Sequence, residues 1–450
     1  MPSWSATPSS PETDFPGQTG PAIFVWSVWL GLSVLLAYFA ITYSVDFPFL
    51  DDWEMVPVMT GVKPLTLGWL WAQHNEHRIV IPRLIYLGLM ELGGHDFRAG
   101  VIFDVLLLSA AAAALILAAR AIRGKVVYSD AFFPLILLHW GQAENLIWGF
   151  TIALVLGSVI AACLLCVLMK PGPLDFRAAL ILALSTAAFP LISGSALALV
   201  PALTACTFLA GWELRKARPA REWLAIFAAG FLGLALLFLY FVGYQRPPNH
   251  PVSPSLGATL EGTLQIMSLG FGSGSKAFWP ASGYLVAGLT IATAFVLLRA
   301  REERPRAIRA ALFLAGMVCM AGGIAWARVA VYPEGLFVPR YATLAAPLLC
   351  CIYLAWEVVK RTQAVRFVQM VLFFVAAVLL VRNAEDGRYG ASVLQQYRQA
   401  AFIDVQDGVP LPEVAERHCV TLYVCGSDTL ARRMQMLRDK KIGPFALPSE

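Results

Sequence analysis

The chain has 450 residues and a net charge of +5, with 58% hydrophobic and only 14% charged residues. A soluble domain carries about 25% charged residues, because water must solvate its surface. The composition therefore excludes one large soluble domain. It predicts an all-α integral membrane protein whose main solvent is lipid.

The N-terminal segment, residues 1–21, is rich in Pro, Ser and Thr, which predicts a disordered cytoplasmic tail. The apolar run from Ala22 to Tyr43 has no basic residue before it and no small-residue cleavage site after it. It is also longer than the apolar region of a signal peptide. We therefore interpret it as the first spanning helix.

Apolar runs of near-spanning length recur along the chain. A helix needs about 20 apolar residues to cross the hydrocarbon core of a bilayer. The third, fifth and eighth runs are shorter, which predicts tilted or broken helices. The eleven predicted spans are 22–43, 100–119, 130–141, 150–169, 178–192, 195–212, 223–243, 283–298, 310–326, 342–359 and 367–381.

Basic residues indicate the orientation. With a cytoplasmic N-terminus, the inner loops contain 17 Lys and Arg residues, whereas the longer outer loops contain 8. Cytoplasmic loops retain an excess of basic residues. This pattern predicts a cytoplasmic N-terminus, and an odd number of spans places the C-terminal tail on the opposite side.

The first outer loop, residues 44–99, contains the densest group of polar side chains. It begins with Asp51 and Asp52. Carboxylates beside a membrane can act as a general base or bind a divalent cation, so metal dependence stays open. Adjacent acids also repel each other, which raises the pKa of one of them. The alternative is an ordinary solvated pair.

Two stretches of this loop have helical patterns. Residues 66–78 form an amphipathic pattern with tryptophans suited to the membrane interface. If that helix continues, His74, His77 and Arg78 share one face. The spacing lacks the His-Glu-x-x-His order of a zinc site, so an interfacial helix is favoured. Residues 79–94 are apolar but short, which predicts a helix along the membrane or re-entering it.

Two further polar clusters lie in predicted outer loops. Glu144 is embedded in apolar sequence, which indicates function, although it could equally cap the fourth span. Arg328 and Arg340 oppose the charge trend, and arginine offers a bidentate fork for phosphate. Their alternative roles are snorkelling or pairing with Glu334.

The tail, residues 383–450, is predicted to form a small α/β domain. Residues 420–424 have the pattern of a short strand, and residues 427–441 that of a helix capped at its first residue. Cys419 and Cys425 flank the strand and could pair in an oxidising compartment. The two ends of a short extended strand are nevertheless poorly placed for a disulfide.

Four motifs, in this order, resemble a group of uncharacterised bacterial membrane proteins. They are Asp-Asp-Trp at 51–53, Gln-His-Asn-Glu-His-Arg at 73–78, Glu-Asn-Leu-Ile-Trp-Gly-Phe at 144–150 and Arg-Tyr at 340–341. An acidic pair soon after the first helix, followed by helices along the membrane, is also similar to the GT-C superfamily of polytopic glycosyltransferases. Many members have Asp-Glu instead, which leaves open which acid is the base.

The GT-C resemblance implies a fold over residues 22–382 and sugar transfer from a polyprenyl-phosphate carrier. The expected setting is a bacterial inner membrane, with the C-terminus periplasmic; membrane lipid is a partner and nucleic acid is not. Asp51 or Asp52 would take the acceptor's proton. The expected carrier-phosphate residues are Arg340, Arg328 and Arg78, and the expected acceptor residues are His74, Glu76, His77, Glu144, Asn145 and Tyr341.

Two non-enzymatic functions remain as alternatives. A transporter or flippase of lipid-linked sugars requires ionisable residues midway through the spans, where Asp104 is the clearest example. An inactive scaffold would use its C-terminal tail to recruit a partner.

Overall fold

A computed structural model describes residues 19–359, 362–423 and 426–446, and these are helical without a β-strand. The α-helices are α1 (Thr19–Tyr43), α2 (Asp52–Met59), α3 (Leu67–Trp71), α4 (Val80–Leu92), α5 (Ala99–Arg123), α6 (Phe132–Leu137), α7 (Ile152–Leu168), α8 (Phe176–Ala188), α9 (Leu199–Leu214), α10 (Ala220–Phe241), α11 (Leu256–Ser268), α12 (Ala281–Arg299), α13 (Arg304–Arg328), α14 (Tyr341–Ala355), α15 (Thr362–Gln406), α16 (Leu411–Leu422) and α17 (Ser427–Asp439). Short 3-10 helices are Tyr128–Ala131, Trp140–Leu146, Gly149–Thr151, Phe189–Leu191, Gly194–Ala198, Leu269–Phe271, Ser273–Phe278, Trp356–Val358 and Gly443–Phe445. The predicted N-terminal tail lies outside the described residues except for its last three positions.

Within the described residues, nine helices are long and apolar enough to cross a membrane. They are α1, α5, α7, α9, α10, α12, α13, α14 and α15, with α7 and α9 extended by the 3-10 turns before them and α14 by the 3-10 turn after it. Large apolar side chains are exposed along them, including Leu30, Phe238 and Ile291. A soluble protein rarely exposes such a continuous apolar surface to water. These features confirm a polytopic helical membrane protein.

Two predicted spans, the third and the fifth, are short, whereas the eighth is a full-length helix, α12. The third runs antiparallel to α14. At one end the Ser129 hydroxyl lies 2.9 Å from the Tyr353 hydroxyl. At the other end Asn145 donates a 2.6 Å hydrogen bond to Thr343. This broken segment therefore extends along most of the length of α14.

The fifth segment, around α8, also runs between the two ends of the bundle. Before α8, the Gly172 carbonyl accepts a 2.9 Å bond from Arg309, near the start of α13. After α8, the Gly194 N–H donates a 3.0 Å bond to His77. Arg328, at the other end of α13, lies beside Glu76. The end of the bundle that carries residues 44–99 is called the loop end below.

Helix α14 is the centre of the bundle, because every residue from Tyr341 to Ala355 is buried. No side of this helix is available to lipid. Arg340, immediately before it, therefore lies near the middle of the loop end rather than at its rim. An arginine in that position cannot reach the lipid head groups by snorkelling along the outside of the bundle.

Residues 44–99 and the C-terminal tail share a second apolar core. Its buried members include Phe47, Trp53, Leu430 and Phe445. The Arg433 guanidinium also donates bonds of 2.9 and 3.0 Å to the two carboxylate oxygens of Glu54 on α2. The tail thus forms one packed unit with the acidic loop.

The tail differs from the predicted α/β domain. Helix α15 continues without a break past residue 383, so the tail begins as an extension of the last span. The predicted strand is wrong over its described part, because residues 420–422 complete α16. The predicted helix from residue 427 is confirmed as α17. Val424 and Cys425, and with them the predicted disulfide, lie outside the described residues.

The prediction of one helix over residues 66–78 is also wrong. Helix α3 ends at Trp71, and the backbones of His74 and His77 exchange hydrogen bonds of 2.7 and 2.8 Å across a tight turn. Asn75 has a φ of 49°, a left-handed conformation that asparagine tolerates and a helix does not. The predicted apolar helix that follows is present as α4.

Candidate active site

The two adjacent acids have different surroundings. Asp52 begins α2 and is 1% exposed; its Oδ2 accepts a 2.9 Å hydrogen bond from the Phe49 N–H. The Asp51 side chain is 33% exposed, and its Oδ2 lies 3.4 Å from Nε2 of His74. Only Asp51 is therefore accessible to a reacting group.

The same surroundings separate the pKa values of the two carboxyls. Burial raises the pKa of Asp52 to about 7, although the Phe49 N–H and the charge of Arg398 act in the opposite direction. Burial also acts on Asp51, but the hydrogen bond and charge of His74 and the charge of Arg340 outweigh it and hold its pKa below the ordinary value. At neutral pH, Asp51 is a stable carboxylate and Asp52 is half protonated.

The turn that follows α3 places His77 against the loop before α9. The Gly194 N–H donates a 3.0 Å bond to Nδ1 of His77, so the ring proton is on Nε2. A Cβ on Gly194 would lie 2.7 Å from that nitrogen, which explains the glycine. Burial and the neighbouring His74 lower the pKa of His77 to about 4. His77 is thus a neutral hydrogen-bond donor at physiological pH.

Two of the predicted phosphate-binding arginines have carboxylate partners. Arg328 pairs with Glu76, whose other oxygen lies 2.9 Å from Nδ1 of His250. Arg340 pairs with Glu144 and donates a 2.7 Å bond to the Tyr332 hydroxyl. Each arginine is positioned by its partner, and much of its charge is already compensated.

The third predicted arginine, Arg78, is 5% exposed. Its guanidinium donates bonds of 2.7, 2.9 and 2.8 Å to the carbonyls of Trp71, Tyr240 and Val242. It fastens the turn to the end of α10, and phosphate binding would break these bonds. Asn145 has a comparable task, because it donates to the Arg340 carbonyl at 3.1 Å.

A cavity of about 300 Å³ at the loop end brings several of these residues together. Glu76, His77, Arg328 and Tyr341 line it, which joins two of the four motifs with the end of α13. The opposite wall is apolar. Its members include Leu154, Leu197, Ala198, Met320, Ile324, Trp326 and Leu344. This first cavity therefore has a charged end and an apolar body, which suits an amphipathic ligand.

Sequence reasoning missed Arg246 as a functional residue. It lines the first cavity, with its guanidinium 4.9 Å from the centre of the Trp326 ring and its Nε donating a 2.6 Å bond to the His250 carbonyl. No carboxylate among the described residues forms an ion pair with it, unlike Arg328 and Arg340. The signal was the basic, proline-rich opening of the segment that follows α10.

Sequence reasoning also missed Arg398 on α15. This side chain is 2% exposed and donates to the carbonyls of Val45, Phe47 and Ile147, the last two flanking the acidic pair and the Glu144 motif. Its charge faces Asp52. A single arginine in a long helix carries no sequence signal for such a role.

A metal centre receives no support from the described residues, where no three His, Cys, Asp or Glu side chains are arranged to hold an ion. The nearest approach is Glu76, which lies 2.9 Å from Nδ1 of His250 and 3.4 Å from Nε2 of His77.

Comparison of the chain with family models, with curated proteins and with solved structures gives no match. The site geometry alone therefore supports the functional argument that follows.

Proposed function

We propose that the protein is a membrane glycosyltransferase, similar in plan to the GT-C enzymes, that moves a sugar from a polyprenyl-phosphate carrier to an acceptor. The observation that carries this proposal is the first cavity. Asp51 does not line this cavity, but its carboxylate is close enough for its charge to act on the lining residue His77. A base close to an amphipathic pocket suits transfer from a lipid-linked donor.

The carrier would enter with its polyprenyl chain against the apolar wall formed by α7, the 3-10 helix before α9, α13 and α14. Its phosphate would then meet Arg246, the cavity arginine without a carboxylate partner in the described chain. The planar guanidinium can donate two parallel bonds to phosphate oxygens. Arg246 therefore takes the role that was predicted for Arg340, Arg328 and Arg78.

In the reaction, a hydroxyl oxygen of the acceptor bonds to C1 of the donor sugar while the bond from C1 to the phosphate oxygen breaks. The hydroxyl proton passes to Asp51, which is ionised at neutral pH. The electron pair of the broken bond leaves with the polyprenyl phosphate, whose added negative charge Arg246 stabilises. His74 orients the Asp51 carboxylate.

The proposed topology has eleven crossings in a bacterial inner membrane, a cytoplasmic N-terminus and a periplasmic loop end. The basic inner loops support the orientation. The two short segments support the count, since each runs between the two ends of the bundle beside full-length helices. Acceptor and sugar would then meet on the periplasmic side.

Asp51→Asn tests the base. We expect sugar transfer from radiolabelled polyprenyl-phosphate sugars to fall by about 10²- to 10⁴-fold in right-side-out vesicles, because Asn cannot accept the proton. Asp96→Asn is the matched control, since Asp96 is on the same loop but pairs with Arg98. Unchanged transfer in Asp51→Asn would overturn the assignment, and transfer confined to inverted vesicles would overturn the sidedness.

Arg246→Gln tests the carrier site. A hydrogen bond to a charged group contributes about 1.5–3 kcal/mol, so the KM for the donor should rise by about 10- to 150-fold. The acceptor KM should not change. Arg299→Gln on α12 is the control, because its guanidinium packs on Phe295 far along the chain from the cavity. An unchanged donor KM would remove Arg246 from the site.

The transporter alternative has less support. Asp104 is buried in α5, but it lies five residues after Ala99, about 8 Å along the helix axis. It is therefore near the loop end rather than midway through the membrane. The scaffold alternative is tested by Asp51→Asn and not by deletion of the tail, because the tail supplies part of the acidic loop's core.

A further inference from the structure

A second and larger cavity, of about 740 Å³, also lies at the loop end. Its lining comes from the 3-10 turns around Gly141 and Ser273, the segment before α14, and α15 from Arg382 to Leu394. No residue lines both cavities. The Glu144–Arg340 pair connects them, because Glu144 lines the second cavity and Tyr341, next to Arg340, lines the first.

Ser273 is the clearest sign of a ligand in this second cavity. The residue lines the cavity and is 9% exposed, and its hydroxyl, which is almost fully enclosed, has no hydrogen-bond partner among the described residues. Most buried polar groups in proteins are paired, so an unpaired hydroxyl here suits a partner from outside the chain. Asn383 fixes the turn, because it accepts a 2.8 Å bond from the Gly274 N–H and donates a 2.8 Å bond to the Phe271 carbonyl.

The remaining lining has the mixture of groups that recognises a polyhydroxylated molecule. Glu144 and Asp386 can accept bonds from ligand hydroxyls, and exposed Lys276 can donate. Phe337 and the 75% exposed Tyr389 offer ring faces on which the C–H faces of a sugar can pack. The volume lies within the range of about 300–1,000 Å³ that is usual for small-molecule sites.

We propose that this second cavity is a saccharide-binding site. Resting on the proposed transferase function, its occupant is the acceptor, which reaches the reaction centre from the side opposite to the lipid-linked donor. The Glu144–Arg340 pair would then lie between the two substrates. The saccharide site itself does not depend on the reaction.

Glycines with open space around them allow each cavity to be filled separately. A Cβ added at Gly390 in the second cavity, at Gly323 in the first, or at Gly288 on α12 outside both would meet nothing within 4 Å. Leucine at these positions can therefore be accommodated without a clash at Cβ. Gly390→Leu fills the second cavity, Gly323→Leu fills the first, and Gly288→Leu is the control.

The binding test uses the purified full chain in a detergent without a sugar head group, with saturation-transfer NMR. The probes are glucose, N-acetylglucosamine and glucuronate. We expect signal transfer to at least one sugar, retained in Gly323→Leu and Gly288→Leu. Gly390→Leu should abolish it, and Ser273→Ala should weaken binding by about two- to tenfold through the lost hydrogen bond. Unfolding temperatures of all variants establish that they are folded.

Absence of signal from all three sugars, or an equal signal in folded Gly390→Leu, would overturn the saccharide site. The transfer assay separates this outcome from the proposed function. Intact transfer in Gly390→Leu would overturn the acceptor assignment and leave the transferase in place. Sugar binding that disappears in Gly390→Leu, in a protein without transfer activity, would keep the site and overturn the transferase.

Discussion

Asp52→Asn should change how the stability of the protein depends on pH. The pKa of Asp52 is about 7 in the folded protein against an ordinary value of 3.8. Because the folded-state value is the higher one, its contribution to stability is fully present below pH 3.8 and is lost as the pH rises through 7. The total loss is about 4 kcal/mol, and more than half of it falls between pH 5 and 8.

Asparagine removes this ionisation and can still accept the bond from the Phe49 N–H. Relative to the wild type, Asp52→Asn should therefore gain about 3 kcal/mol in unfolding free energy between pH 5 and 8. The measurement is SDS-induced unfolding in mixed micelles, followed by tryptophan fluorescence at each pH. Asp51→Asn is the matched control, since the lowered pKa of Asp51 places its own effect below this range. Parallel curves for Asp52→Asn and the wild type would refute the reasoning.

Three further predictions concern the supports of the site. Arg398→Met should cost about 3–5 kcal/mol in unfolding free energy, because it leaves three carbonyls without their donor and removes the charge that faces Asp52; the exposed Arg388→Met on the same helix should cost little, and equal losses would contradict the role. Arg433→Gln should lower the free energy of unfolding by only about 1 kcal/mol, since the Glu54 side chain is 39% exposed, but it should speed tryptic cleavage of the tail. Arg432→Gln should not speed this cleavage. Identical cleavage rates in the two variants would contradict the role of the Arg433–Glu54 pair in holding the tail. A reporter enzyme that is active only outside the cytoplasm, fused after residue 450, should be active; inactivity would contradict the odd number of crossings.

Hydropathy predicted the membrane architecture well because long apolar runs have few alternatives to a spanning helix. The nine long helices all overlap predicted spans. The breaks in the third and fifth spans were expected from their length, but not where 3-10 turns would fall. Local propensity failed in the tail. The β-branched and aromatic residues at 420–423 favour a strand, but Leu422 instead packs in the core shared with the acidic loop.

The sequence predicted several of the residues that form the candidate site, but not how their side chains are paired. Charge against the expected trend identified Arg328 and Arg340, but sequence cannot show that each has a carboxylate partner 196 or more residues away. Arg246 is the reverse case, since what distinguishes it is the absence of such a partner among the described residues. Pairing is a tertiary property, and it decides which arginine remains available to an anion.

The acidic pair shows most clearly what the fold adds. Asp51 and Asp52 are equivalent in the sequence, but the start of α2 turns one side chain inward and the other toward His74. Burial raises the pKa of Asp52 to about 7, and its side chain packs near Phe49 and Arg398. Because Asp51 also senses the charge of Arg340, the base is coupled to the residue between the two cavities. A change at Glu144, the partner of Arg340, should therefore alter the pH dependence of transfer as well as its rate.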